Sequence, residues 1–399
     1  MPTSLPLLPD SLINGRPAML GVLGGGQLGR MFVHAAQALG YDTIVLDPDP
    51  NSPAGLVSHH QIQADYDDPA ALAELAARAQ AITTEFENVP ADALAVLAGQ
   101  RPVAPAAEAV AIAQDRVQEK AHFVRSAQSS GVAPAPHAVI ESEEDLARVP
   151  ADLLPGILKT ARLGYDGKGQ ARVATRDELA AAWRATGSVS CVLEKLLPLA
   201  LECSVIVARG RHGELASLPV QRNLHRGGIL AVTEVYEDNL PEALIRRAQA
   251  ATRQIANDLQ YVGVLCVEFF VLQDGTLVVN EMAPRPHNSG HYTVDACDCS
   301  QFDLQVRTLA GLPLPAPRQH SAAIMLNLLG DLWFDAAGHA RALPWSEVLA
   351  LPGAHLHLYG KVEARRGRKM GHLTMTGASA AEVRASALRA AALLGIEAF

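Results

Sequence analysis

Short apolar runs alternate with amphipathic segments in the first third of the chain. The run from Met19 to Leu23 predicts a buried strand, and residues Gln27 to Leu39 have the apolar spacing of a helix that ends at Gly40. Further strands are predicted at Thr43 to Leu46 and at the sequence AITTEF, residues 81–86. A regular alternation of strands and helices predicts an open parallel α/β sheet.

The pattern changes after this sheet. One helix is predicted from Ala106 to about Ser130, and the proline-containing run SSGVAPAPHAV then predicts a linker into a second unit. In that unit the predicted strands GILKT and CVLEK flank a glycine-rich loop. Further strands and helices continue to the proline-rich run GLPLPAPRQ, and short strand-like runs with a final alanine-rich helix follow. The chain therefore combines α/β and α+β organisation.

Composition restricts the class of protein. Of 399 residues, 49% are hydrophobic and 19% are charged, which is typical of a globular chain with a large core. No apolar run reaches the roughly 18 residues that span a bilayer. The first 17 residues lack a basic segment and contain several prolines, so we expect a disordered extension rather than a signal peptide. The net charge of −9 argues against a nucleic-acid-binding surface.

The cysteines indicate a reducing environment. Their number, five, is odd and they are scattered, which argues against a disulfide framework and favours the cytoplasm. Cys297 and Cys299 are close in sequence, but no second Cys or His pair stands at a metal-ligand spacing. We therefore expect buried free thiols.

The first chemical motif is the glycine turn GVLGGGQLGR. Gly24, Gly26 and Gly29 have the G-x-G-x-x-G spacing after a predicted strand. Asp47 ends the next strand, near where a dinucleotide-binding fold places its ribose-binding carboxylate. Glycines at a helix N-terminus also suit any phosphate or small polar ligand, and a purely structural turn has the same pattern. The ligand stays open at this point, with a nicotinamide- or flavin-dependent oxidoreductase as one interpretation.

Two acidic residues follow the third predicted strand. Glu85 and Glu87 lie at its carboxyl end, and ligands of open parallel sheets bind beyond the carboxyl ends of the strands. We therefore expect the glycine turn and both acids on one rim of the sheet. For Glu85, a ligand contact and a solvated loop position are both compatible with the sequence.

A predicted hairpin carries two facing carboxylates. Two apolar runs flank Asp274 and Gly275, a pair that favours a two-residue type I′ turn. Counting back from this turn places Glu268 opposite Glu281. Facing like charges destabilise a strand pair, whereas a bound Mg²⁺ shared with phosphates would explain them, and the neighbouring Asn280 favours such a site. The alternative is a shifted register that leaves both carboxylates in solvent.

Several cations accompany these acids. Lys159 ends the strand before the glycine-rich loop and Lys120 lies on the preceding predicted helix, so each can direct a cation at phosphates or be merely solvated. The loop itself lacks the ending of a Walker sequence and suits either a flap over phosphates or a plain hairpin loop. The run RPHNSGH concentrates hydrogen-bond donors. The run KVEARRGRKMGH is strongly basic, which suits a phosphate monoester or a solvated loop.

Together the motifs GGGQLGRM, TEFENVP, GYDGKGQ, NEMAPRPHNSGH and GRKMGHL resemble those of the ATP-grasp ligases, and among these the N5-carboxyaminoimidazole ribonucleotide synthases of purine biosynthesis. The resemblance extends from the first strand to about Gly371. It implies that ATP phosphorylates bicarbonate to carboxyphosphate, which then carboxylates the amine of 5-aminoimidazole ribonucleotide. It also implies a site that excludes water, because carboxyphosphate hydrolyses readily, and this gives the glycine-rich flap a purpose.

The resemblance also implies an organisation and a set of partners. Mg²⁺ is the implied metal, with Mn²⁺ as an alternative, ATP is the co-substrate, and the protein is a cytoplasmic homodimer without nucleic-acid or membrane partners. The implied segments are a disordered extension at 1–17, a pre-ATP-grasp α/β domain at 18–115, a small ATP-grasp lid at 116–200, an ATP-grasp body with the metal site at 201–318, and a substrate-phosphate-binding domain at 319–399.

Site residues are carried over from the matching motifs. The implied ATP contacts are Lys120, Lys159, Gly164, Gly167, Gly169, Gln170, Glu194, Lys195, Glu202 and Asn280. The implied ribonucleotide contacts are Gln27, Leu28, Glu85, Tyr165, Asn288 and Ser289, with Lys361, Arg368 and Lys369 at its phosphate. The implied catalytic residues are Arg285, His287, Asp166 and Lys168, and the implied metal ligands are Glu268 and Glu281.

Two positions depart from the family pattern or leave it open. Ala283 stands where many ATP-grasp enzymes have an asparagine, and either Arg365 or Arg366 suits the phosphate site. The nearest rival function is that of another ATP-grasp carboxylate–amine ligase, such as a formate-dependent ribonucleotide transformylase. A catalytically inactive ATP-binding regulator is disfavoured, because the acidic pair and the lysines are intact.

Overall fold

The structure is a computed structural model that describes residues 6–162, 164 and 169–399. The predictions for Tyr165, Asp166, Gly167 and Lys168 lie outside the described residues. Among the described residues, no helix is both long enough and apolar enough to cross a membrane. The five cysteines are free and buried, as their spacing predicted.

The amino-terminal unit is an open parallel sheet with helices on both faces. Its elements are β1 (Leu12–Ile13), β2 (Arg16–Pro17), β3 (Met19–Leu23), α1 (Gln27–Ala38), β4 (Asp42–Leu46), β5 (His60–Ile62), α2 (Pro69–Arg78), β6 (Ala81–Thr84), α3 (Ala91–Ala98) and α4 (Ala107–Ala113). The strands lie in the order β5, β4, β3, β6, and all pairs are parallel. Leu20 and Val22 of β3 join a core with α1, whereas Leu23 joins a core with α2 and α3. The sheet is therefore buried on both faces, which confirms the predicted α/β fold.

Residues 6–17 are folded, which corrects the expectation of disorder for this part of the extension. The amide of Leu7 donates to the carbonyl of Ala310, and the hydroxyl of Tyr41 donates to the carbonyl of Leu7. Leu7 also packs against the core beneath α1, and β1 pairs with β2. The expectation failed because the partners of this segment are remote in sequence, and composition alone does not reveal them.

The second unit packs helices against a four-stranded antiparallel sheet. Its elements are α5 (Arg116–Ser130), β7 (His137–Ile140), α6 (Glu143–Arg148), β8 (Gly156–Thr160), β9 (Gln170–Val173), α7 (Arg176–Ala185) and β10 (Cys191–Lys195). The strands lie in the order β7, β10, β8, β9. Strands β8 and β10 coincide with the predicted strands GILKT and CVLEK.

The single helix predicted from Ala106 to Ser130 is wrong, because α4 and α5 are separate helices. Asp115 lies between them with extended backbone angles, φ −126° and ψ 107°. Its Oδ1 accepts hydrogen bonds from the amides of Val117 and Gln118 at 3.0 and 3.4 Å. An aspartate that accepts these otherwise unpaired amides begins a new helix. The apolar spacing on both sides of Asp115 is helical, so periodicity did not reveal the break.

The third unit contains the largest sheet. Its elements are β11 (Leu199–Arg209), β12 (Leu215–Ser217), β13 (Gln221–Arg226), β14 (Ile229–Val235), α8 (Glu242–Asp258), β15 (Gly263–Leu272), β16 (Leu277–Ala283), α9 (Thr293–Ala296), α10 (Gln301–Ala310), β17 (Ala322–Leu329), α11 (Trp345–Leu349), β18 (Ala354–Leu358), β19 (Lys369–Gly377) and α12 (Ala380–Leu394). The strands lie in the order β16, β15, β11, β13, β14, β17, β19, β18, and β12 pairs with β11. Because β14 pairs with β17, one sheet continues across the predicted boundary at 318/319, and the domain boundaries stay predictions.

The hairpin of β15 and β16 places Glu268 opposite Glu281, as predicted, but by a different route. Val271 pairs with Leu277, and the amide of Gly275 donates to the carbonyl three residues earlier. Gly275 has φ +81°, the left-handed conformation that closes a three-residue loop with a glycine bulge. The loop is therefore one residue longer than the predicted type I′ turn.

A second bulge restores the register. Glu268 pairs with Glu281, whereas its neighbour Phe269 pairs with Val279, so Asn280 is an extra residue in β16. A bulge of this kind re-aims side chains at the point where it interrupts the ladder. Both Asn280 and Glu281 consequently face the same cleft.

The break before α5 gives a prediction for stability. Asp115→Ala should destabilise the first turn of α5 by about 1 kcal/mol, because two amides lose their acceptor. Thermal unfolding and hydrogen–deuterium exchange of peptides covering residues 115–122 measure this effect. Asp115 also pairs with Arg162 at 3.0 Å, so Arg162→Ala serves as the control. That exposed ion pair should contribute at most about 1 kcal/mol without deprotecting the helix. Unchanged exchange in Asp115→Ala would contradict the capping role.

Candidate active site

A cleft with a volume of about 1070 Å³ lies where the three units meet. It is bounded by the glycine turn and the end of β6, by the sheet of the second unit, and by β15 and β16. Most of the described residues predicted for the site line this cleft. They are Gln27, Leu28, Glu85, Lys159, Gly164, Gln170, Glu194, Lys195, Glu202, Glu268, Asn280, Glu281, Arg285, His287, Asn288 and Lys369.

The other described residues predicted for the site are Lys120, Gly169, Ser289, Lys361 and Arg368, and they are not part of this lining. Lys120 and Ser289 are buried directly behind it, and both are 0% exposed. The hydroxyl of Ser289 lies 2.9 Å from Nδ1 of His287, so it orients a side chain that does line the cleft.

The glycine turn is occupied by carboxylates of the protein itself. The amides of Gly26 and Gly29 donate to Glu85 at 2.7 and 2.8 Å, and the amide of Gly25 donates to Asp47 at 2.6 Å. These helix-terminal amides are the groups that would bind a pyrophosphate in a dinucleotide site. This arrangement argues against the oxidoreductase interpretation.

Glycine is required at Gly24 for the same reason. Its φ is +100°, and a Cβ atom there would lie 2.4 Å from Cγ of Glu85. Burial raises the pKa of the Glu85 carboxyl, and the amides of Gly29 and Gly26 oppose that shift. Glu85 is therefore not a solvated loop residue. It is bonded to the glycine turn, and it also lines the cleft.

Glu87 fixes the arginine on the opposite wall. Nε of Arg285 donates to Oε2 of Glu87, and Nη1 donates to the carbonyl of Pro286 at 3.1 Å. Burial alone would raise the pKa of the Glu87 carboxyl, but Arg285 lowers it to about 2. The pair joins the rim of the first sheet to the segment after β16.

A buried triad lies at the other end of the cleft. Glu194, which is 3% exposed, forms ion pairs with Lys120 at 3.1 Å and with Lys159 at 3.0 Å. Burial alone would raise the pKa of Glu194, but the two ammonium groups lower it to about 2. Burial lowers the pKa of Lys159, and Glu194 opposes that shift. Glu194 therefore pairs with both lysines. The family resemblance assigns these two lysines to the phosphates of ATP.

The facing carboxylates of the hairpin are paired with different side chains. Oε1 of Glu268 lies 3.0 Å from Nε2 of His287, and Oε2 of Glu281 lies 3.2 Å from Arg116. Burial opposes ionisation of Glu268, but His287 lowers its pKa to about 2. Oδ1 of Asn280 is buried and has no hydrogen-bond partner among the described residues. Two carboxylates and an unsatisfied amide oxygen form a set of hard oxygen donors that fits a divalent cation.

Three further residues at the cleft were not identified from the sequence. Arg116 contacts Glu281, Nδ1 of His225 lies 2.7 Å from Glu202, and Glu119 lies on the helix face next to Lys120. Arg116 and Glu119 belong to the same face of α5 as Lys120, since residues three and four apart are neighbours on a helix. That spacing was the available signal. His225 had none, because its strand pairs with β11 only in the fold.

The basic C-terminal residues form a looser group. Nζ of Lys361 donates to the carbonyl of Lys369 at 2.8 Å and lies 5.7 Å from the ring centroid of Tyr359. Burial and the nearby Arg368 together lower the pKa of Lys361 to about 8. Arg365 is paired with an exposed acidic neighbour and, like Arg366, does not line the cleft.

Family models match three consecutive parts of the chain. Residues 18–114 match the ribonucleotide synthetase preATP-grasp domain, and residues 125–302 match the ATP-grasp domain. Residues 323–386 match the phosphoribosylaminoimidazole carboxylase C-terminal domain. The first match covers the amino-terminal unit, the second covers most of the second unit and the first part of the third, and the last lies within the third unit.

Individual proteins match over nearly the full chain. N5-carboxyaminoimidazole ribonucleotide synthase of Brucella melitensis is 46% identical over 362 residues, which cover 89% of this chain and 95% of that protein. The crystal structure of the Thermus thermophilus synthetase has a TM-score of 0.85 and 38% identity, and the match covers 96% of this chain and all of the other. The Aspergillus clavatus synthase in complex with ADP and 5-aminoimidazole ribonucleotide has a TM-score of 0.84 and 31% identity, over 95% and 99% of the two chains. The chain therefore belongs to the N5-carboxyaminoimidazole ribonucleotide synthases, a family of ATP-grasp ligases.

Proposed function

We propose that the chain uses ATP and bicarbonate to carboxylate the amine of 5-aminoimidazole ribonucleotide, a step of purine biosynthesis. The relatives carry the name of this activity, and one of them is crystallised with ADP and the ribonucleotide. The observation that supports it best is a cleft that brings together the buried Lys159, a pair of facing carboxylates and an ion-paired arginine. Such a cleft suits two phosphate-bearing ligands held close together.

The reaction divides into two transfers. A bicarbonate oxygen attacks the γ-phosphorus of ATP, the bond to the β-phosphate oxygen breaks, and ADP leaves. The amine nitrogen then attacks the carboxyl carbon of carboxyphosphate, the bond between that carbon and the phosphate oxygen breaks, and phosphate leaves. The amine gives up one proton in this second transfer.

At the nucleotide end, the chain supplies positive charge that is already positioned. Lys159 lines the cleft, and Glu194 holds its ammonium in place before any ligand arrives. Phosphoryl transfer depends mainly on such positioning and on charge stabilisation. Glu202 and Lys195 line the same end and are proposed contacts of the nucleoside.

The proposed metal is Mg²⁺, held by Glu268 and Glu281 with Asn280 beside them. The fit rests on the unsatisfied Oδ1 of Asn280 and on the oxygen donors around it. When bound, Mg²⁺ neutralises phosphate charge during transfer, and Mn²⁺ suits the same donors. Ala283 has no polar side chain, so the asparagine of many ATP-grasp sites has no counterpart there.

At the ribonucleotide end, Arg285 and His287 are the proposed catalytic residues. Arg285 carries a permanent charge that Glu87 orients toward one wall of the cleft. His287 has its Nδ1 beside the hydroxyl of Ser289 and its Nε2 beside Glu268, so its ring is held on both sides. We propose it as the group that takes the amine proton.

The remaining proposals concern surroundings rather than chemistry. The five free cysteines suit a reducing compartment, and we propose the cytoplasm. A homodimer also stays a proposal.

The direct test measures ADP release by the purified protein with Mg²⁺, ATP and labelled bicarbonate, with and without 5-aminoimidazole ribonucleotide. We expect the ribonucleotide to stimulate ADP release and to take up label in an acid-labile product. A parallel reaction with formate and other amines tests the rival ligase. Incorporation of formate without bicarbonate would transfer the assignment to a transformylase.

The carboxylate pair gives the second prediction. Glu268→Gln or Glu281→Gln should lower kcat about 100-fold or more, because a metal ion at the transferred phosphate supplies several kcal/mol. The matched control is Glu234→Gln on β14, where the carboxylate is similarly buried but pairs with Arg384 at 2.6 Å outside the cleft. Equal activity of the control and the pair variants would contradict the metal assignment.

Lys361 gives a prediction about pH. With a pKa of about 8, its ammonium loses its proton as the pH rises through that value. If it binds the ribonucleotide phosphate, kcat/KM for the ribonucleotide should fall above about pH 8, while kcat/KM for ATP should not share that inflection. Lys361→Arg should remove the fall, since a guanidinium stays charged. A wild-type profile that is flat across this range would exclude the role.

A further inference from the structure

Strand β16 has one edge outside the sheet. In the described part of the chain β15 is the one strand that pairs with it, and an isolated bridge joins Val279 to Pro134 on the other edge. The remaining backbone groups of that edge need different partners. Near the turn, the amide of Val279 donates to the carbonyl of Ala133 at 3.1 Å, and this bond satisfies one backbone group of the edge. The edge then reaches the bulge at Asn280 and the carboxylate of Glu281.

Two consecutive side chains of α5 form hydrogen bonds with the backbone of this edge on either side of Glu281. The ammonium of Lys120 donates to the carbonyl of Asn280 at 2.7 Å. Oε1 of Glu119 accepts from the amide of Met282 at 2.7 Å. One side chain thus provides a donor and the other an acceptor, as the backbone of an adjacent strand would.

Both contacts are made in the interior. Glu119 is 2% exposed and Lys120 is 0% exposed. The ammonium of Lys120 makes a charge-assisted hydrogen bond, and both hydrogen bonds gain strength where water is excluded. Lys120 forms an ion pair with Glu194 at 3.1 Å, so its ammonium has a carboxylate neighbour in addition to the contact with β16.

We propose that Glu119 and Lys120 are positioning residues that hold the bulge of β16 and so keep Asn280 and Glu281 facing the cleft. A bulge that relaxes into a regular ladder shifts the strand by one residue, and such a shift turns each side chain to the other face of the sheet. Bonds to the carbonyl before Glu281 and to the amide after it oppose that shift. This inference rests on the proposed function, because the bulge matters for the reaction only through the metal ligands that it orients.

This role differs from the one that the family resemblance implies for Lys120, direct contact with ATP phosphates. The described bonds of its ammonium go to Asn280 and Glu194, and its side chain is not part of the cleft lining. Loss of a phosphate contact would weaken nucleotide binding with or without metal. Loss of the edge contacts would weaken metal binding selectively. Variants of Glu119 distinguish the two roles. A carboxylate does not attract phosphate, so only the positioning role predicts an effect of its removal on metal binding.

The test is Mn²⁺ binding in the presence of ADP, measured from the electron paramagnetic resonance signal of free Mn²⁺. Glu119→Ala should weaken Mn²⁺ binding about tenfold, as expected for one lost hydrogen bond to a charged group. Glu119→Gln keeps an acceptor oxygen and should restore most of the affinity. The KM for 5-aminoimidazole ribonucleotide should stay within about twofold of wild type in both variants.

The matched control is Ser126→Ala on the same helix. Its buried hydroxyl donates to Asp258 at 2.6 Å and anchors α5 to α8 without touching β16. We expect a lower Tm with unchanged Mn²⁺ affinity. If Glu119→Ala does not fold, Glu119→Ala combined with Lys120→Met removes both polar side chains and leaves Glu194 paired with Lys159. It should fold and still lose affinity.

The outcomes separate the two hypotheses. Wild-type Mn²⁺ binding that Glu268→Gln abolishes, together with unchanged affinity in Glu119→Ala, would overturn the positioning role and leave the proposed function intact. The same loss in Ser126→Ala as in Glu119→Ala would also overturn it, because the effect would then be general destabilisation. Absence of Mn²⁺ binding by the wild type would overturn the metal pair and the positioning role together.

Discussion

The buried triad of Glu194 with Lys120 and Lys159 is the interaction on which the rest of the cleft depends. Two ammonium groups without a counter-charge would be prohibitively unfavourable in an interior of low dielectric. Glu194 lies on β10 and Lys159 on β8, whereas Lys120 comes from α5 and also bonds to β16. All three members of the triad lie in the second unit, and the hydrogen bond from Lys120 to β16 joins that unit to the large sheet. The triad also holds the ammonium of Lys159 at the wall of the cleft.

The same rule applies along the whole cleft. Arg285 is paired with Glu87, Arg116 with Glu281, and His287 with Glu268, and each pair joins segments that are remote in sequence. A cleft for anionic ligands must concentrate cations, and a folded chain without ligand must neutralise them. Pairing each functional cation with a carboxylate satisfies both requirements. An arriving phosphate or metal then exchanges partners with charges that are already in place, which limits the reorganisation that binding requires.

Periodicity and motif spacing were sufficient for the α/β sheet and for β8 and β10, whereas many of the residues that gather at the cleft were assigned through the family resemblance. Periodicity was insufficient at the local cap of Asp115, which ends one helix and starts another although the apolar spacing continues. It was also insufficient where remote segments meet. Leu7 folds the first segment through Ala310, and Glu85 and Asp47 fill the glycine turn that resembles a dinucleotide site. These remote contacts depend on tertiary neighbours, which a local pattern does not contain.

The facing pair of Glu268 and Glu281 shows why a correct prediction can rest on incorrect geometry. The loop at Gly275 is one residue longer than a type I′ turn, and the bulge at Asn280 compensates for that residue. The two irregularities cancel in the register, so Glu268 and Glu281 still face each other. The side-chain directions differ from those of a regular hairpin, because the bulge turns Asn280 to the cleft that the carboxylates line. A regular hairpin would give the facing pair but would place Asn280 on the opposite face from Glu281. The third oxygen donor therefore exists because the strand is irregular, and an irregular edge strand needs the side chains of α5 to hold it.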